Sequence, residues 1–205
     1  MTLLHPPYTA WHLSYVALGA ALAPRFEPVR LWWGLGAFFL ALGVAAHALD
    51  ELNGRPLRTA IPDRALVALA AASLAGAAAI GIGAAAAWGW GLLAFVAVGV
   101  FLVLAYDLEL LGGRFHTDVW FGLAWGAFPA LTGYFVEAQT IRVEAVLAAL
   151  FATALSLAQR ALSTPARAAR RGGGGTVEPA LEAALRALTV AAVALAAALV
   201  VVRMT

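Results

Sequence analysis

The sequence predicts an all-α, polytopic transmembrane bundle of about seven helices, on three observations. Of 205 residues, 63% are hydrophobic and 12% charged, whereas soluble domains run at roughly 45–50% and 25%. The mean hydropathy is +0.88. Residues 65–106 carry no charge. That run is too long for one crossing, because a bilayer core of roughly 30 Å takes about 20 apolar residues.

Taken in order, the first span covers about 8–23 and stops at Pro24-Arg25. The second starts near Leu31, with Trp32 and Trp33 as interfacial anchors, and runs into 47–50. The charge-free run divides near 81–91 into a third and a fourth span, with Trp88 and Trp90 at the membrane surface between them. The fifth covers about 119–136 and the sixth about 144–162. An Arg/Gly-rich linker (165–180) follows, with Arg167, Arg170, Arg171 and four glycines from Gly172 to Gly175. The last span, about 181–202, is almost all Ala, Val and Leu. The chain reads as one integral membrane domain: a helical core (1–164), the linker, and a last helix (181–203).

There is no cysteine, so disulfides and thiolate metal sites are excluded. All 13 basic residues are arginine. Their place is in loops, facing the cytoplasm or phosphate groups, and not on a nucleic-acid surface. The first 15 residues lack a basic stretch and contain Pro6-Pro7, so a cleaved signal peptide is not expected. Seven spans put the N-terminus and the connections 50–64, 107–118 and 160–180 on one side. That side holds eight arginines (55, 58, 64, 114, 160, 167, 170, 171) against four (25, 30, 142, 203), which makes it cytoplasmic.

Two polar stretches meet there. The first, AHALDELNGRPLRTAIP (46–62), places His47, Asp50 and Glu51 at helical spacing before the break at Asn53-Gly54. The second, YDLELLGGRFHTD (106–118), supplies Tyr106, Asp107, Glu109, Arg114, His116 and Asp118. Carboxylates in such a setting suit Mg²⁺ shared with phosphate oxygens, and arginines suit bidentate phosphate contact. Asp63, Arg64, Glu109 and the Arg160–Arg171 group read more simply as solvated connections. His12, inside the first span, reads as a hydrogen-bonded packing residue, and His5 as uninformative. Gly34, Gly36, Gly43, Gly122 and Gly126 read as close-packing sites.

These residues resemble the UbiA-type membrane prenyltransferase superfamily. The first acidic motif is matched by Asp50-Glu51 and then RPLRTAIPDRAL (55–66). The Tyr-containing loop is matched at Tyr106, and the helix G-x-x-x-G-x-x-P-x-x-x-G-Y by FGLAWGAFPALTGY (121–134). The resemblance covers roughly residues 5–160. It implies a bundle around a central cavity and Mg²⁺-dependent transfer of a prenyl group from a prenyl diphosphate to a lipophilic acceptor. Carried over, Asp50, Glu51, Tyr106 and Asp107 form the catalytic set. Arg55 and Arg58 are carried over as diphosphate contacts; beside them His47, Asn53, Arg114 and His116 are candidate substrate-binding residues from the two loops, and Asp50, Glu51 and Asp107 are candidate Mg²⁺ ligands, with Asp118 standing in for the family's missing acids.

The sequence departs from the family in three places. Ala46-His47 stands where an Asn-Asp pair is usual, the chain offers fewer helices, and no acid lies between Glu144 and Glu178, where a second acidic motif belongs. Two further readings therefore stand beside prenyl transfer. One is a lipid- or quinone-binding relative without catalysis. The other is a metal-dependent membrane hydrolase on His47, Asp50, His116 and Asp118. The expected partner is a membrane lipid or isoprenoid.

Overall fold

The structure, a computed structural model, describes residues 3–171 and 178–205. Every described element is helical, and there are eight: α1 (Pro6–Leu22), α2 (Pro28–Leu52), α3 (Asp63–Trp88), α4 (Leu92–Asp107), the short α5 (Leu110–Gly113), α6 (Asp118–Ala138), α7 (Val143–Arg171) and α8 (Pro179–Met204). Five of them, α2, α3, α6, α7 and α8, are long and apolar enough to cross a membrane. The first and fourth expected spans form helices of only 17 and 16 residues.

Proline and glycine set most of the boundaries. α1, α2 and α8 each begin on proline, whose missing N–H costs nothing in a first turn. α2 ends at Asn53-Gly54, and Gly54 takes φ +101°, a conformation open mainly to glycine. The charge-free run breaks at Gly89, φ +153°, within the expected window. The sixth span runs further than expected. α7 continues through Pro165 to Arg171, because the flanking Ala and Arg are strong helix formers. The proline removes one backbone bond without ending the helix. Gly172–Gly175 of the expected linker lie outside the described residues.

α1 is the packing centre, lying against α2, α6, α7 and α8. Gly19 and Gly133 let α1 and α6 approach closely. A Cβ on Gly19 meets the backbone of Ala130, and one on Gly133 the backbone of Val16. Of the glycines expected to pack, Gly126 does so against Ala152 backbone, and Gly122 against Thr153 and Leu157.

At one end of the bundle, Glu137 Oε2 accepts from the Glu27 N–H at 2.9 Å. Arg30 donates to the Val136 and Glu137 carbonyls at 3.3 Å, and Trp33 packs edge-on to Trp88. The two polar stretches gather at the other end.

α2 and α6 each contain a π-helical stretch, Phe39–Ala46 and Gly122–Ala127. Such stretches widen a helix and frequently mark functional positions. In α6 the local cause is visible. Pro129 has no N–H for the carbonyl four residues back, that of Trp125.

Candidate functional site

The polar end is built from α1, α2, α4, α6, α7 and the two loops between them. His12 of α1 donates through Nδ1 to the Trp125 carbonyl at 2.7 Å. A carbonyl only accepts, so Nε2 is left as an acceptor; it is buried without a partner among the described residues. His47 Nδ1 donates to the Leu42 carbonyl at 2.9 Å, within the π stretch of α2. Tyr8 stands between the two imidazoles, its ring 4.3 Å from His12 and 5.7 Å from His47.

Tyr106 closes the other side. Its hydroxyl accepts from Arg160 at 2.6 Å, and its carbonyl accepts from His116 Nδ1 at 3.0 Å. Its ring stacks on His116 at 4.4 Å and lies edge-on to Trp125 at 5.3 Å. Arg160 also pairs with Asp118 and covers the Phe121 ring at 4.9 Å. Asp107 is 7% exposed. Its carbonyl accepts from Asn53 Nδ2 at 3.2 Å, but its Oδ2 is buried without a partner among the described residues. Asp50 is exposed and lies within electrostatic reach of His47, His116, Arg167 and Asp107.

Below this cluster runs an elongated apolar cavity of about 100 Å³ between α2, α3, α4 and α6. Trp33 and Trp88 bound it at one end, and Leu42, Leu102, Val103 and Trp125 at the other; Thr132 is the one hydroxyl in its lining. Leu42 lies nine positions along α2 from Trp33, about 14 Å of helix. Tyr106 and Asp107 follow Leu102 and Val103 by four residues each, and so stand one turn above the cavity on the same face of α4.

Several sequence assignments change on this geometry. Glu51 is not available as a catalytic acid or metal ligand. It is fully buried, Oε2 accepts from the Leu57 N–H at 2.9 Å, and Oε1 from the Thr59 N–H and hydroxyl at 2.7 and 2.9 Å. It folds the loop around Pro56. Arg55, expected on diphosphate, donates to the Thr59 and Ile61 carbonyls and pairs with Asp63. Asp118, expected on metal, is held by Arg160. Arg58 and Arg114 are exposed on their loops.

No group of three or more His, Asp or Glu among the described residues could hold a metal ion. The Mg²⁺ set Asp50, Glu51, Asp107 and Asp118 does not assemble, and neither does the hydrolase set His47, Asp50, His116 and Asp118. The residues present therefore do not fit a protein-built metal centre.

Arg160 is the residue that sequence reasoning missed. By sequence it groups with the solvated arginines, yet it ties α7 to Tyr106. His12, expected as a hydrogen-bonded packing residue, is buried and bonded to the Trp125 carbonyl through Nδ1. The signal for its partner lay in Pro129, four residues after a buried carbonyl. Compared with known proteins, the chain matches no family model, no curated protein and no solved structure. Fold and site define a class only: a protein helical in every described element, with five membrane-length helices among the described residues and a polar cluster set over an apolar cavity.

Proposed function

We propose that the protein is an integral membrane protein, UbiA-like in arrangement, that binds an isoprenoid- or quinone-type lipid. The part of the lipid's chain nearest its polar end, about one isoprene unit, occupies the apolar cavity of about 100 Å³, and the polar end meets Tyr106 and Asp107. The observation that carries this reading is that those two residues stand one helical turn beyond Leu102 and Val103 of the cavity lining, on the same face of α4. A lipid entering from the bilayer gains little from burying its chain, since its surroundings are already apolar. Recognition therefore falls on cavity shape and on the polar end. The excess of arginines on the same end orients it towards the cytoplasm.

The test is mass spectrometry of lipid extracted from protein purified in mild detergent. The expected result is about one defined apolar lipid per chain, the occupant of the cavity between α2, α3, α4 and α6. Recovery of bulk phospholipid alone, in the proportions of the host membrane, counts against the reading.

A second reading is transfer from a prenyl diphosphate. Asp50 favours it, being an exposed acid at the polar end near His47, His116 and Arg167. This reading needs a metal that the acids here are not grouped to hold, and no chemical step is routed through one. It expects Mg²⁺-dependent binding of a prenyl diphosphate that Asp50→Ala abolishes.

A further inference from the structure

We infer that the polar end of the bound lipid is a neutral, oxygen-bearing group, an alcohol or quinol-type hydroxyl hydrogen-bonded to Asp107, and not a phosphate. The inference rests on the lipid-binding reading above and names the head-group class it takes.

The first ground is Asp107 itself. Its Oδ2 is buried and unpartnered among the described residues, in a side chain only 7% exposed. A buried polar atom without a partner carries its full desolvation cost, which a ligand group can relieve. The atom belongs to the residue one turn beyond Val103 of the cavity lining, at the polar end of the cavity.

The second ground is charge. Asp107 and Asp50 lie in each other's field. A diphosphate brought against them adds negative charge where the acids are not grouped to share a cation. The nearby arginines do not change this. Arg55 is held by its own loop and Asp63. Arg160 is held by Tyr106 and Asp118. Arg167 reaches the cluster electrostatically from α7 and already has an interaction of its own.

The third ground is hydrogen-bond chemistry. A hydroxyl both donates and accepts, so it satisfies a carboxyl group whether or not that group carries a proton. Phosphate oxygens offer acceptors and more charge.

The experiment measures binding to the full chain in detergent of three probes of one chain length: a prenyl alcohol, its diphosphate and the hydrocarbon. Each is measured in Mg²⁺ and in EDTA. The alcohol is expected to bind about tenfold tighter than the hydrocarbon, the worth of one buried hydrogen bond. It is also expected to bind tighter than the diphosphate in either buffer. Asp107→Leu removes the alcohol's advantage and Asp107→Asn keeps it. The comparison of probes on the unaltered chain stands even if Asp107→Leu does not fold.

A diphosphate that binds tightest in Mg²⁺ overturns the inference, as does an alcohol that binds no better than the hydrocarbon; both leave the lipid-binding reading in place. If neither alcohol nor hydrocarbon binds, the lipid-binding reading itself fails and the inference falls with it.

Discussion

His12 donates its Nδ1 hydrogen to the Trp125 carbonyl at 2.7 Å, and the residue four positions after that carbonyl, the α-helical donor position, is Pro129, which has no N–H to give. Two features far apart in sequence thus answer each other. A proline inside α6 exposes an acceptor in an apolar core, and a histidine inside α1 satisfies it. The bond also fixes the imidazole so that Nε2 faces the interior as an acceptor.

This predicts a coupled pair of substitutions. His12→Phe leaves the carbonyl unpaired and lowers stability by about 1–3 kcal/mol. Pro129→Ala restores a backbone donor, so His12→Phe in that background costs clearly less. Thermal unfolding of the four proteins in detergent checks this. Equal costs in both backgrounds sink the link between the two residues.

The second prediction concerns Glu51, buried with three hydrogen bonds from Leu57 and Thr59. Glu51→Ala loosens residues 54–60 and costs about 3 kcal/mol or more, because a charged acceptor is lost and donors are stranded. Trypsin cuts at Arg58 faster as a result. If cleavage is unchanged while lipid binding is lost, Glu51 contacts the ligand and does not act through the loop.

The third prediction separates the partners of Arg160. Asp118 has a side chain 75% exposed, so Asp118→Asn changes stability by less than about 1 kcal/mol. Arg160→Met also strips the Tyr106 hydroxyl of its donor and uncovers the Phe121 ring. It costs about 1–3 kcal/mol. Equal, small effects for both changes assign Arg160 to the surface after all.

The fourth prediction is that metal is not structural. No acid or imidazole cluster among the described residues suits one, so EDTA leaves the unfolding temperature unchanged and Mg²⁺ does not raise it. A Mg²⁺-dependent rise in the absence of any lipid contradicts the geometry.

Much of the fold was legible because apolar runs and breakers are local signals. The absence of charge over 65–106 announced two helices, and Gly89 divided them. Pro24 and Asn53-Gly54 mark ends in the same way, whereas the second helix starts at Pro28, ahead of the expected Leu31. The extension of α7 was less legible, since Pro165 and the glycines after it look like a stop. The site was legible only as a neighbourhood. Asp50, Tyr106, Asp107 and His116 do come to one end, but spacing along a helix does not say which acid turns inward. Glu51 and Asp50 are adjacent in sequence, yet one is buried as a loop anchor and the other exposed. Arg160 was hidden by composition, since an arginine near a basic stretch looks like all the others.

The most direct measurement of the central claim is photo-crosslinking with a prenyl alcohol carrying a photoactivatable group on its chain, followed by peptide mapping. A lipid seated in the cavity labels Phe38, Leu74, Phe95 or Phe128, which line it. Ala41→Phe, which fills the cavity from α2, suppresses that labelling while the protein stays folded. Labelling confined to the outer faces of α7 and α8, or unaffected by Ala41→Phe, contradicts the account.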